Sequence, residues 1–355
     1  VRSISGAPQS VAFSIADPGA DILKTILVTG GAGYVGSHCC KAFAEAGWKV
    51  VVFDNLFRGW RDMVKWGALI EGDILDRSGL EAAFSQVKPD VVAHFAALSY
   101  VGESVQDPSL YYRNNSFGAF NLLEAMRTAG VGKLIFSSTA ATYGAPQHTP
   151  MTEDHPQTPI NPYGWSKLFV ERMMADYAVA YDLRYAALRY FNAAGADAEG
   201  EIGERHEPET HVIPLAARGA LRDDYEFTIF GDDFETRDGT CVRDYIHVSD
   251  LGRAHAAAAD YLLGGGAAMA FNLGTGEGTT VKEIADAIEK VSGRPLPRRI
   301  GPRRPGDPSV LIASNARAKA MLGWAPRQSS IDEIVQSAWA WAKKDDTRRG
   351  PEGLS

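Results

Sequence analysis

A phenol and an ammonium stand four residues apart in Tyr163-Gly164-Trp165-Ser166-Lys167, at the start of a stretch with helical spacing, so both side chains share one face of that helix. Such a pair can move a proton once the phenol is made acidic. Bringing a phenol pKa from about 10 to about 7 costs about 4 kcal/mol. A positive charge roughly 5 Å away offers about 3 kcal/mol at an effective dielectric of about 20, so Lys167 and one further cation are sufficient. The spacing is also that of a surface tyrosine resting on a lysine stem. A second stretch of the chain is needed to decide between the two.

That stretch is Thr29-Gly30-Gly31-Ala32-Gly33-Tyr34-Val35-Gly36, which follows the apolar run Ile26-Leu27-Val28 and precedes a helical pattern. A strand turning sharply into a helix aims unpaired N–H groups and the positive end of the helix dipole at an anion, provided no Cβ blocks the approach. Gly30, Gly33 and Gly36 remove those side chains. Glycines serve plain strand-to-helix corners as well, so context matters. The next apolar run, Val50-Val51-Val52-Phe53, ends in Asp54. A carboxylate about 20 residues past the glycines can accept both ribose hydroxyls of an adenosine and repels a 2′-phosphate, so the expected cofactor is NAD rather than NADP. Its oxidised nicotinamide ring is the further cation for Tyr163. The spacing G-x-x-G-x-x-G behind a threonine resembles the extended branch of the short-chain dehydrogenase/reductase superfamily.

Other candidates follow strand ends, where parallel folds place ligands. The run Leu134 to Ser137 leads into Ser138, Thr139, Ala140 and Ala141. Ser137 and Ser138 read as turn caps, and Thr139 as a hydroxyl able to bridge a substrate and Tyr163. Asn192 follows another strand end, and Arg243, Arg304 and Asp307 bring charge to the second half of the chain. Guanidinium groups grip phosphate oxygens in pairs, so these arginines suit a diphosphate. His206-Glu207-Pro208-Glu209-Thr210-His211 has the residue types of a zinc protease, but its second histidine comes one residue too late and a proline interrupts the required helix. No metal site is expected.

The chain has 355 residues, 45% of them hydrophobic, enough for a large core in two domains or in one with a sizeable insertion. A formal charge of −8 argues against a general nucleic-acid or acidic-membrane surface while allowing a local basic pocket. The most apolar segment, Ala254 to Leu273, is broken by His255, Asp260 and the glycines 264–266, so no membrane span is expected. Three cysteines form neither a disulfide framework nor a metal spacing, which fits a reducing cytoplasm. Residues 1–22 lack a secretory core and read as a disordered extension.

From Lys24 onward, apolar runs alternate with helical patterns, so the expected fold is α/β, a doubly wound parallel Rossmann sheet with a smaller, partly interleaved substrate-binding region. Strands are expected at Thr25–Val28, Val50–Phe53, Leu69–Glu71, Val91–Phe95, Leu134–Ser137 and Tyr185–Leu188. Helices are expected near Val35–Ala46, Gly79–Val87, Ser116–Ala129 and Tyr163–Tyr181, then at Ile213–Arg222, Ser249–Leu263, Val281–Val291 and Asn315–Leu322. The alternation fails after Asn192, which divides the chain into a nucleotide-binding part, 23–190, and a substrate-binding part, 191–355. Ala270–Leu273 has strand character suited to a return into the first sheet.

Taken together, T-G-G-A-G-Y-V-G-S-H, F-D-N-L, E-G-D-I, H-F-A-A, V-G-E-S-V, F-S-S-T, N-P-Y-G-W-S-K, R-Y-F-N, D-G-T-C-V-R-D-Y-I-H-V-S-D-L and R-R-P-G-D resemble the UDP-glucose 4-epimerases, particularly the bacterial ones that serve exopolysaccharide synthesis. The resemblance covers nearly everything from about residue 24 to about residue 340. It implies that Tyr163 is the base, Lys167 holds the nicotinamide ribose and Thr139 assists. It also implies that Gly30, Gly33, Tyr34, Val35, Gly36, Asp54, Asn55, Asp73, Ile74, Phe95, Ala96, Ala97, Asn114 and Tyr190 hold NAD. Asn192, His211, Val212, Thr228, Phe230, Arg243, Arg304, Asp307 and Leu311 would meet the UDP-sugar. The implied reaction is inversion at carbon 4′ of UDP-glucose or UDP-galactose through a 4-keto sugar, in a homodimer. A UDP-pentose is the alternative substrate. Related dehydratases and decarboxylases carry an acidic residue just after the threonine, where this chain has Ala140-Ala141, and a non-catalytic nucleotide-binding regulator would have lost Tyr163, Lys167 or Thr139.

Overall fold

The computed structural model describes residues 24–222, 224–304 and 306–349; the extension expected over 1–22 lies outside the described residues. Seven strands form one parallel sheet in the order Met269–Leu273, Arg184–Tyr190, Lys133–Thr139, Val91–His94, Thr25–Thr29, Lys49–Asp54, Ala68–Glu71. All five residues of Thr25–Thr29 are buried, as a central parallel strand with helices on both faces requires. The winding direction reverses between Thr25–Thr29 and Val91–His94, so the loops leaving these two strands diverge and open a crevice at their carboxyl ends.

One face of the sheet is covered by Tyr34–Glu45 and by Val248–Leu263 from the second half of the chain. They meet at Gly252, where a Cβ would come 3.0 Å from the Ala42 side chain and 3.1 Å from the His38 carbonyl. The other face packs against Arg77–Val87, Gly118–Ala129 and Pro162–Tyr181 through Leu80, Leu122, Met126, Val170 and Met174. Each such buried side chain contributes about 1.5–3 kcal/mol, which anchors Pro162–Tyr181 and the groups it carries.

Several boundaries differ from the sequence expectation for local reasons. The helix expected from Gly79 begins at Arg77, because the Asp76 side chain accepts from the Ser78 amide as its cap. The one expected from Ser116 becomes regular at Gly118, after a π-type turn over Tyr112–Phe117. The strand expected to end at Ser137 continues to Thr139, in register with Tyr190.

Beyond the sheet, Val212–Leu221, Val281–Ser292 and Ile331–Arg349 pack around Phe227 and Ile229. Small sheets join Phe227–Phe230 to Arg298–Gly301, Val242–Arg243 to Thr279–Thr280 and Val310–Leu311, and Tyr245–His247 to Asn192–Ala194. Among the described residues, no helix is long and apolar enough to cross a membrane.

Candidate active site

A cavity of about 1080 Å³ opens at the carboxyl ends of the parallel strands. The first half of the chain lines it with Gly30, Gly33, Tyr34, Val35, Gly36, Asp54, Asn55, Ile74, Phe95, Ala96, Ala97 and Asn114. Asn192, His211, Val212, Thr228, Phe230, Arg243, Arg304, Asp307 and Leu311 line it from the second half, and Thr139, Tyr163, Lys167 and Tyr190 complete the wall. Gly72 and Ile74 line the cavity on either side of Asp73, whose carboxylate accepts from Nδ2 of the lining residue Asn55 at 3.0 Å and from the Leu75 amide at 2.8 Å, which fixes the turn.

The helix Pro162–Tyr181 starts where it does because the Asn161 side chain accepts from the Gly164 amide at 2.8 Å and Pro162 occupies the first turn. Gly164 is needed there. A Cβ would lie 2.5 Å from the Ala141 carbonyl oxygen, so only glycine lets the helix start approach the turn after Thr139. This approach sets Tyr163 beside Thr139 in the cavity wall, while the Tyr111 ring meets the Tyr163 ring edge-on at 6.4 Å. One turn on, Lys167 is buried, with Nζ donating to the Ser137 carbonyl at 2.8 Å and lying 4.9 Å from the Phe136 ring centre.

Burial raises the Tyr163 phenol above its ordinary value, and the neighbouring Thr139 opposes this. Burial also pushes the Lys167 ammonium down to about 7, against the pull of Glu171. Lys167 Nζ is held by the Ser137 carbonyl, and the expected drop in the phenol needs the nicotinamide charge beside it as well. Ser137 and Ser138 do not cap a turn. Because the strand runs on to Thr139, the Ser137 hydroxyl pairs with Tyr190 Oη at 2.5 Å and Ser138 donates to Glu171 Oε1 at 2.5 Å. The turn cap is Thr139 itself, which accepts from the Ala141 amide at 3.1 Å.

Beneath the helix lies a pair that sequence reading missed. Glu171 takes Arg189 Nη2 at 2.5 Å and Nε at 2.9 Å, both side chains being buried. Removing one partner of such a pair leaves an uncompensated charge, at about 3–5 kcal/mol, so it holds the Lys167 turn of the helix against the strand. The available signal was the spacing of four between Lys167 and Glu171.

The glycine turn fits a dinucleotide. Gly30 has φ +78° and its Cβ would lie 2.4 Å from the Ala96 amide nitrogen; at Gly36 a Cβ would reach the Gly30 carbonyl at 2.2 Å. Gly33 meets only the Gly30 oxygen, at 3.4 Å, and its Cβ-free surface faces the cavity at a helix N-terminus that no side chain caps. Those amides and the helix dipole are an anion cradle. Asp54 is oriented by the Ala32 amide at 2.9 Å and the Leu56 amide at 2.8 Å, which leaves lone pairs for hydroxyl donors.

On the opposite wall, Asn192 donates to the Asp244 carbonyl at 3.0 Å, and Arg243 pairs with Asp307. Arg304 Nε lies 3.6 Å from the second Asp307 oxygen, and its guanidinium lies 5.0 Å from the Phe230 ring centre. His211 is joined by Glu204, His206 and Glu209, three side chains to which the sequence reading assigned no role.

The model of the NAD dependent epimerase/dehydratase family matches residues 26–274. A UDP-glucose 4-epimerase of Rhizobium leguminosarum bv. trifolii is 54% identical over 323 residues, 91% of this chain and 98% of that protein. Among solved structures, the UDP-glucose 4-epimerase from Brucella ovis in complex with NAD superposes with a TM-score of 0.87 at 49% identity, over 90% of this chain and 98% of that one. The Bifidobacterium longum enzyme in complex with NAD+ and UDP gives a TM-score of 0.86 at 38% identity, over 93% and 100%.

Proposed function

We infer the reaction from one premise: the chain belongs to the NAD dependent epimerase/dehydratase family. It is an NAD-dependent isomerase that inverts carbon 4′ of a UDP-sugar, with UDP-glucose and UDP-galactose as the main pair. The observation that carries the residue assignments is that the helix start at Gly164 packs onto the turn after Thr139, so that Thr139, Tyr163 and Lys167 share one wall of the cavity. Bound NAD would lie along the glycine turn and Asp54, with Lys167 on its nicotinamide ribose, and supplies the centre that takes up a hydride and gives it back.

Tyr163 takes the proton of the 4′-hydroxyl as the C–H bond at that carbon breaks, and Thr139 fixes the hydroxyl to which the phenol is addressed. The chain then holds a 4-keto sugar by its diphosphate through Arg243 and Arg304, free to present its other face. Tyr163 returns the proton. What favours simple inversion over dehydration is the turn after Thr139, which brings only Ala140 and Ala141 to the cavity and thus no second proton carrier. Incubation with UDP-galactose and NMR of the product sugars tests the reading: UDP-glucose supports it, and a 4-keto-6-deoxy sugar or unchanged substrate overturns it.

The working form is a homodimer. Support comes from Phe117, Phe120, Trp165 and Phe169, which remain exposed on the neighbouring helices Gly118–Ala129 and Pro162–Tyr181 and the turn before them, while Leu168, Val170 and Met174 are spent on the core. The location proposed is the cytoplasm, which the need for NAD and UDP-sugars and three free, buried cysteines support.

A further inference from the structure

The loop before the helix Val212–Leu221 gathers Glu204, His206, Glu209 and His211, whose donor atoms all lie within 4.8 Å of one another. His206 Nδ1 stands 3.3 Å from Glu204 Oε1 and 3.7 Å from Glu209 Oε2. His211 Nδ1 stands 2.7 Å from Glu204 Oε1 and 3.4 Å from Glu209 Oε1. An ion bound tetrahedrally at about 2.0–2.2 Å sets its ligands about 3.4 Å apart; three of the spacings, at 3.3, 3.4 and 3.7 Å, are near that, and the fourth, the His211–Glu204 ion pair at 2.7 Å, would open on binding. We propose that Glu204, His206, Glu209 and His211 form a binding site for a divalent transition-metal ion, zinc being the best match to two imidazoles and two carboxylates.

Independent observations point to a ligand at this place. The Glu204 side chain is only 6% exposed, and its Oε1 and the Nδ1 of His206, although close to the charged groups just described, make no well-directed hydrogen bond. One ion would satisfy both atoms. The surroundings already orient the ligands. Glu209 Oε1 accepts from the Thr210 and His211 amides, each at 2.8 Å, and Trp341 Nε1 donates to the Glu204 carbonyl at 2.9 Å. A side cavity of about 80 Å³, lined by Glu204, His206 and Glu209, gives a route of entry from behind the main cavity.

The competing arrangement is two imidazolium–carboxylate pairs. An ion is the alternative occupant at the centre of the same four donor atoms. The motif His206-Glu207-Pro208-Glu209-Thr210-His211 fails as a helical zinc motif. Its loop reaches the same end by folding two nitrogens and two oxygens inward.

The role that follows is a clamp. Arg58 Nη1 donates to the Glu207 carbonyl at 2.8 Å and Trp60 Nε1 to the Arg205 carbonyl at 3.2 Å, so the loop touches the nucleotide-binding half while His211 and Val212 line the cavity. A metal would hold that wall in place.

Tag-free full-length protein is stripped with a chelator, then titrated with Zn2+ against a chromophoric competitor and, separately, with Co2+ while the visible spectrum is recorded. One equivalent per chain, with intense tetrahedral Co2+ bands, is expected. Glu209→Gln and His206→Gln should each weaken binding at least about 100-fold, with folding and NAD content followed in parallel. Absence of saturable binding to wild type, unchanged affinity in both variants, or a thiolate charge-transfer band would overturn the site. The wild-type titration decides even if a variant misfolds.

Discussion

Leu311 is the register partner of Arg243 in adjacent parallel strands, although 68 positions separate them, and both side chains line the cavity. A UDP-sugar whose diphosphate met Arg243 would bring its sugar toward Leu311. A branched apolar side chain there should leave room for a plain hexose and offer an acetamido group no hydrogen bonds. Leu311→Ser should raise kcat/KM for UDP-N-acetylglucosamine relative to UDP-glucose by about 10-fold or more, on the scale of 1–3 kcal/mol for small changes in pocket contact. Pentoses should rank second to hexoses in the wild type, for a lost hydroxymethyl contact. An unchanged ratio would show that Leu311 does not gate the sugar.

NAD should accompany the purified protein, since inversion consumes none and nothing in the cycle requires its release. Acid extraction should yield NAD and no NADP. Gly30→Ala should abolish this, because its Cβ would lie 2.4 Å from the Ala96 amide at a backbone φ of +78°. Retention of full NAD content by that variant would remove the assignment of the turn.

Tyr163→Phe keeps the ring that packs against Tyr111 and deletes the proton acceptor. Turnover should fall about 100- to 10,000-fold with UDP-sugar affinity retained. Lys167→Ala should lower turnover and loosen NAD together. Near-normal turnover of the phenylalanine variant would refute the catalytic role.

Lys167 also predicts a pH dependence of stability. The folded chain sheds its proton near 7, whereas an unfolded lysine keeps it to about 10.5. Between these values the unfolded state binds more protons, so stability rises with pH: the contribution is complete above about 10.5 and lost as pH falls through about 7. Measured by urea denaturation, the stability of wild type relative to Lys167→Met should shift in favour of wild type by several kcal/mol across that window, at about 1.4 kcal/mol per pH unit. A difference that stays level with pH would contradict the depressed ammonium.

Light scattering at micromolar concentration should report a dimer, and Phe169→Glu combined with Phe117→Glu should yield a monomer, since two carboxylates cannot be buried without partners. A wild-type monomer would remove the dimer proposal.

Sequence alone determined the α/β order of elements, the glycine turn, Asp54 and the Tyr163–Lys167 face, because each depends on contacts within a few residues or on a period of 2 or 3.6 along the chain. Tertiary structure decided what those residues touch. Two further strand residues past the expected end at Ser137 assign Ser137 to Tyr190 and Ser138 to Glu171, and leave Thr139 to cap the turn. Lys167 points to a backbone carbonyl because burial makes that partner worth more than exposure. Asp73 is tied to Asn55 and the Leu75 amide, contacts that its position in the sequence does not announce. Strand pairing across 68 positions places Leu311 beside Arg243, and an irregular loop, whose path no periodicity encodes, folds Glu204, His206, Glu209 and His211 onto one point.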